Sequence, residues 1–109
     1  MSWVRRVGYV TVARLDDVPP GTVRQVRAGD HWYALANVDG VLHAVDNNCP
    51  HSGGPLARGK LIGRELECPW HGWRWDVTSG RNSWPGTGWR VPRIPVRVLD
   101  NGEIQLAEI

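Results

Sequence analysis

At 109 residues and 12.2 kDa the chain has the size of one domain and can bury a core without disulfides. Its formal net charge of +2 comes from arginines and lysines that are scattered rather than run together, which disfavours nucleic acid as a partner. No apolar run reaches membrane-spanning length, and Met1-Ser2-Trp3-Val4-Arg5-Arg6 is not followed by the apolar core of a secretory signal, so a soluble cytoplasmic protein with no membrane contact is expected.

In chain order, Tyr9 to Arg14 alternates as a strand does, and Asp16-Asp17-Val18-Pro19-Pro20-Gly21 breaks it with a turn or short helical turn. Thr22 to Arg27 is the next strand, ended by Ala28-Gly29-Asp30. Trp32 to Val38 and Val41 to Val45 flank Asp39-Gly40, a pair that favours the type I′ hairpin turn because both positions tolerate positive φ. Lys60-Leu61-Ile62 and Glu65 to Cys68 form a second hairpin through Gly63-Arg64. Trp73 to Val77 is a strand closed by Thr78-Ser79-Gly80. Residues 81 to 93 read as irregular, cut by Pro85, Gly86, Gly88 and Pro92. Ile94 to Leu99 resumes alternation, Asp100-Asn101-Gly102 turns it, and Glu103 to Leu106 closes the chain. No long window carries helical periodicity, so the fold class is all-β, an antiparallel sandwich or barrel.

Two short stretches carry the chemistry. Cys49 and His51 lie in Cys-Pro-His, and Cys68 and His71 in Cys-Pro-Trp-His, with residues 52 to 67 between the pairs. Each pair sits at a strand end and enters a turn rich in proline and glycine, so two loops are expected to face one another. Proline stiffens such a loop, and glycine lets backbone N–H groups come close to a bound group. The only two cysteines of the chain are both in these pairs, so a disulfide would consume the site; reduced thiolates on a metal are expected. Two cysteines and two histidines also suit zinc, and a zinc-stabilised interaction domain stays open on composition. Zinc sites, however, usually pair like with like, whereas each pair here mixes thiol and imidazole. Mixed pairs suit a two-iron cluster in which each loop sends one ligand to each iron.

The pattern resembles the Rieske signature, and the resemblance extends from about Tyr9 to Leu106. It is carried by Pro50 and Pro69, Gly54-Pro55-Leu56, His71-Gly72-Trp73 with Asp76 and Gly80, and Pro92-Arg93-Ile94-Pro95-Val96-Arg97-Val98, which look like soluble Rieske-type [2Fe-2S] ferredoxins. The resemblance implies a single domain, residues 1–109, with a cluster-binding subdomain at about 46–86. It implies one [2Fe-2S] cluster, with Cys49 and Cys68 on the buried iron and His51 and His71 on the outer iron near solvent. Two ferric ions, two sulfides, two thiolates and two neutral imidazoles sum to zero charge. Reduction then costs less than at an anionic four-thiolate core. High-potential members of the family carry a cysteine pair and two hydroxyl donors at positions that correspond here to Gly54, Trp70, Trp73 and Trp75. Their absence implies a potential toward the low end of the Rieske range.

The implied function is one-electron transfer, passing electrons from a flavin-containing, NAD(P)H-dependent reductase to a terminal oxygenase, with transient docking near His51 and His71 and the loop tips Pro50, Ser52, Gly53, Trp70 and Gly72. The chain itself shows no dinucleotide fingerprint and no two-histidine, one-carboxylate set for mononuclear iron, so it is expected to be a carrier and not an enzyme. The same residues are similar to the small subunit of nitrite reductase and to oxygenase Rieske domains, in which case the chain would be a fixed subunit. His31 and His43 lie outside the pairs and are expected to be ordinary surface or satisfied histidines. Trp70, Trp73 and Trp84 are candidates for shielding the cluster, with plain packing equally open. Arg58, Lys60, Arg74 and Arg81 are candidates for steering an acidic partner.

Overall fold

Alternation and turn chemistry place most of the strands. A computed structural model describes residues 8–108. Its strands are β1 (Gly8–Arg14), β2 (Val23–Ala28), β3 (His31–Val38), β4 (Val41–Asp46), β5 (Lys60–Ile62), β6 (Glu65–Glu67), β7 (Arg74–Asp76), β8 (Asn82–Trp84), β9 (Arg93–Ile94), β10 (Val96–Val98) and β11 (Glu103–Glu108). Single 3₁₀ turns at Leu15–Asp17 and Leu56–Arg58 are the helical elements among the described residues. Asp39 and Gly40 adopt φ of 52° and 94°, as the I′ turn between β3 and β4 requires. At Gly63-Arg64 only Gly63 turns left-handed, with φ 63°, the II′ pattern.

The strands form three antiparallel sheets, ordered β1-β11-β10, β2-β3-β4-β9 and β5-β6-β7-β8. The middle sheet is covered on both faces. Val26, Ala28, Leu35, Leu42 and Ala44 pack toward Ala13, Val18, Ile104 and Leu106 on one side. Ala34, Ala36 and Val45 pack on the other, against Cys49, Leu56, Leu66, Cys68, Trp75, Val77 and Val91. This double burial is why residues 34 to 37 of β3 are all buried, a continuous run that replaces alternation. The polar member of that run, Asn37, is satisfied: its amide nitrogen donates to Val18 O at 2.7 Å and its oxygen accepts from Gly40 N at 2.7 Å. The second core therefore contains both thiols, and the third sheet serves as its lid.

Two stretches differ from the sequence expectation. Ile94 to Leu99 is not one strand. Pro95 has no N–H to give a ladder, and the chain changes sheets there: β9 pairs with β4, while β10 pairs with β11. Residues 81 to 93 are also not wholly irregular. They contain β8, the start of β9 and an isolated bridge between Arg81 and Arg90, each too short to show a period.

Candidate metal centre

The loops after β4 and β6 are the same turn built twice. Gly53 N donates to Cys49 O at 2.7 Å, and Gly72 N donates to Cys68 O at 3.0 Å. Both glycines sit at φ 75°, where a side chain would be strained. Cys49 N donates to Gly54 O at 2.9 Å, and Cys68 N to Trp73 O at 2.8 Å. The repeated unit is Cys-Pro-x-x-Gly, as Cys49-Pro50-His51-Ser52-Gly53 and Cys68-Pro69-Trp70-His71-Gly72. The histidines occupy different places in this common turn, the third residue in one loop and the fourth in the other. That repeat was visible in the sequence but is a finer signal than the ligand spacing.

The first loop is fixed to the middle sheet by Asn47. Its backbone N–H donates to Trp32 O at 3.2 Å, its carbonyl accepts from Leu56 N at 2.8 Å, and its side-chain oxygen accepts from Ala57 N at 2.9 Å. The result is a site with an inside and an outside. Cys49 and Cys68 are 2% and 1% exposed and not joined in a disulfide. His51 and His71 are exposed, with ring centroids 5.5 Å apart and planes at 78°. Trp73 stacks flat on His51, 3.8 Å between centroids and 4° between planes, and so covers one face of that ring. Trp70 lies over Gly54, and Trp84 shares a shallow cleft with His71, Gly72 and Arg74.

The residues fit a [2Fe-2S] cluster on several counts. A Cβ built on Gly54 would come within 2.9 Å of Cys68 Sγ and 3.0 Å of the Trp70 ring, so this position leaves its space beside the sulfur only as glycine. Burial pushes the Cys49 thiol up, but hydrogen bonds from the backbone and side chain of Ser52, then from the His51 backbone and the Cys68 side chain, outweigh it and hold the thiol below its ordinary range. The thiolate is the form that binds metal. Ser52 Oγ lies 3.5 Å from Cys68 Sγ, a hydroxyl supplied from the opposite loop. This hydroxyl comes from position 52 and not from 73 or 75, where the chain has tryptophan. Trp75 Nε1 is fully buried and, among the described residues, has no acceptor. Among the described residues no three His, Cys, Asp or Glu side chains gather on one point as a single ion demands.

His31 and His43 stand apart from the pair. His31 Nε2 lies 3.1 Å from Asp46 Oδ1, and His43 contacts Arg93 at 3.4 Å. Burial first, then the Arg93 charge, lowers the His43 pKa against a smaller opposing pull from Asp76. The residue whose part sequence reasoning missed most completely is Asn82, 6% exposed. Its oxygen accepts from Gly86 N (3.1 Å), Thr87 N (2.9 Å) and Thr87 Oγ1 (2.8 Å), and its nitrogen donates to Arg74 O (2.9 Å) and Trp84 O (2.7 Å). One buried amide thus shapes the third loop beside the histidines.

Comparison with known proteins gives a consistent picture. The model of the Rieske [2Fe-2S] domain matches residues 8–94. The ferredoxin component of the naphthalene 1,2-dioxygenase/salicylate 5-hydroxylase systems of Ralstonia sp is 41% identical over 73 residues, 67% of this chain and 70% of that protein. A chain of the complex of reduced oxygenase and oxidized ferredoxin in carbazole 1,9a-dioxygenase superposes with a TM-score of 0.83 at 30% identity, covering 91% of this chain and 92% of its own. The putative NADH-dependent nitrite reductase small subunit of Mycobacterium tuberculosis superposes with a TM-score of 0.84 at 28% identity, covering 96% and 98%.

Proposed function

This chain belongs to the Rieske [2Fe-2S] domain family, and from that membership we propose that it is the ferredoxin of an oxygenase system, a one-electron carrier with no catalytic residues of its own. One observation carries the reading: each of two matching loops pairs a buried thiol with an exposed imidazole. Cys49 and Cys68 would hold one iron of the cluster, and His51 and His71 the other. When bound, the cluster supplies reversible one-electron redox chemistry. The thiolates and their amide donors keep water from the inner side, Trp73 orients the His51 ring, and the two histidine edges face whatever docks. Residues of about 46–86 act as the cluster-binding subdomain of a single domain, 1–109.

The electron source in this reading is a flavin-containing, NAD(P)H-dependent reductase, and the acceptor is a terminal oxygenase, both docking transiently over His51 and His71. The complex of oxygenase and ferredoxin among the similar structures supports the second partner. Among the described residues no helix is long and apolar enough to cross a membrane. A cytoplasmic setting fits two cysteines that are not joined in a disulfide. The similarity to a nitrite reductase small subunit favours a second reading, a fixed subunit of a larger reductase.

Anaerobic purification decides among these. The carrier reading expects iron and acid-labile sulfide in equal amounts and, after dithionite, an EPR signal with the lowered average g-value of mixed His/Cys ligation. His71→Ala should abolish that signal and His43→Ala should keep it. A colourless protein holding zinc without sulfide would refute electron transfer, and near-stoichiometric isolation with a large partner would transfer the assignment to the fixed subunit.

A further inference from the structure

The exposed histidines are ringed by large apolar side chains that nothing in the described chain covers. Trp70, Trp84 and Trp89 are 58%, 53% and 51% exposed. Trp84 shares its cleft with His71, and Trp89 packs 5.7 Å from Trp73, the ring stacked on His51. An indole offers roughly 150 to 250 Å² for burial, so three half-exposed ones around one point leave a sizeable apolar patch. Trp and Arg are also the side chains that most often dominate binding energy at interfaces.

The surroundings carry a definite sign. Residues 46 to 93 hold seven arginines and lysines against four carboxylates. Each of those carboxylates is already engaged: Asp46 with His31, Glu67 with Arg74 and Asp76 with Arg64, all at 3.1 Å, and Glu65 with the Ser83 hydroxyl at 2.9 Å. Arg81 and Arg90 are exposed and set directly across from one another by their antiparallel bridge, next to Trp89. Like charges facing across strands destabilise the pairing. Among the described residues neither guanidinium has a carboxylate within ion-pair distance; Arg90 reaches only the Ser79 carbonyl, at 3.5 Å. Two arginines held together without a counter-ion, beside an uncovered indole, are complementary to carboxylates on another surface.

We propose that this collar is a docking face for a redox partner whose own surface presents carboxylates around an apolar centre. Arg81 and Arg90 pair with the carboxylates, while Trp84 and Trp89 are buried by contact. The proposal rests on the carrier reading and adds to it the chemistry of the partner. A small patch of this kind suits the low end of interface sizes, where redox encounters lie, and its charge raises the encounter rate more than the final affinity.

The test uses cluster-loaded protein, reduced with dithionite and mixed in stopped flow with an acidic acceptor, plastocyanin, and a basic one, cytochrome c. Between about 20 and about 300 mM salt the Debye length falls from roughly 20 to roughly 6 Å. Over that range the rate to plastocyanin should fall about tenfold and the rate to cytochrome c should hold or rise. Arg81→Glu with Arg90→Glu should cut the low-salt plastocyanin rate by about tenfold with an unchanged EPR spectrum. Trp84→Ala with Trp89→Ala should lower the rate that remains at high salt. A plastocyanin rate flat in salt, an arginine variant equal to the parent, or a tryptophan variant equal to the parent at high salt overturns the docking proposal and leaves the carrier role standing. Failure to pass electrons to either acceptor overturns both.

Discussion

Replacing Gly54 by Ala adds one methyl group at the narrowest place in the metal-centre interior. The new Cβ lies 2.9 Å from Cys68 Sγ and 3.0 Å from Cγ and Cδ2 of Trp70. Heavy-atom contacts of this kind relax at about 3.5 to 4.0 Å, so the groups must part by about 0.6 to 1.1 Å. Trp70 is exposed and can swing outward. Cys68 is buried at the end of β6, with its N–H bonded to Trp73 O and its carbonyl to Gly72 N, and it cannot. The displacement therefore falls on the sulfur and its loop, at a cost of about 1 to 3 kcal/mol. Gly54 is not in the left-handed region, so backbone strain adds nothing. Gly53 is the matched control. Its φ is 75° and a Cβ there meets nothing within 4 Å, so Gly53→Ala costs left-handed strain of about 1 to 2 kcal/mol without crowding the sulfur. Visible circular dichroism and the rate of cluster bleaching at fixed temperature separate the two. Gly54→Ala should change the visible spectrum and bleach faster, by about tenfold for each 1.4 kcal/mol. Gly53→Ala should lose stability while keeping the parent spectrum. A Gly54→Ala protein with the parent's spectrum and bleaching rate would refute the reasoning.

Ser52→Ala removes the hydroxyl beside Cys68 Sγ; a hydrogen bond worth about 0.5 to 1.5 kcal/mol converts to a fall in midpoint potential of roughly 20 to 60 mV for one electron. Voltammetry showing no fall would mean that the hydroxyl points elsewhere. Trp75→Phe deletes the buried indole N–H that has no acceptor among the described residues, and it too should lower the potential; an unchanged potential with a gain in thermal stability would mark the indole as an uncompensated polar group instead. Burial raises the Asp76 carboxyl, but hydrogen bonds from the Thr78 hydroxyl and amide, then the Arg64 charge and the Ser79 amide, bring it below the ordinary carboxylate range. Its stabilisation is therefore complete above that range and is lost as pH falls through the depressed folded value. Melting temperatures of the parent and Asp76→Asn should converge toward acid, and parallel curves would contradict the assignment. With Gly54 and Trp70, and so no thiol pair for a disulfide there, the midpoint potential should sit near the low end of the range of about −150 to +300 mV, and a value above about +100 mV would contradict this expectation.

The strands were legible where one local rule decided them. Asp39-Gly40 fixed a hairpin through φ alone, and β1, β2 and β11 showed their alternation. The two Cys/His pairs were legible as a candidate site because few residue types serve as soft metal donors and their spacing is tight. What stayed hidden depends on partners distant in sequence. Pro95 could be seen as an interruption, but that the chain changes sheets there follows from β4 and β11 lying ready on either side. Strand β8 was hidden because three residues cannot display a period, and its place is set by Arg74 and Trp75 across the sheet. The stack of Trp73 on His51 joins two loops twenty-two positions apart, which no local pattern encodes. Asn82 looked like any loop asparagine, since its five hydrogen bonds exist only once Arg74, Trp84 and Thr87 surround it.

The loop that Asn82 organises is closed at its base. Asn82 N donates to Trp89 O at 3.0 Å, Val91 N to Gly80 O at 2.8 Å, and Arg81 bridges Arg90. Trp84, Trp89 and both arginines therefore lie on one closed segment, whose first strand, β8, is also hydrogen-bonded to β7. The thiols and imidazoles lie on other segments, anchored by Asn47 and by their own repeated turn. The closed segment is nonetheless coupled to the candidate site: β8 pairs with β7, and Trp89 packs on Trp73, the ring stacked on His51. A change of shape or charge at the tip of that segment therefore reaches the His51 ring through two packed indoles, Trp89 and Trp73.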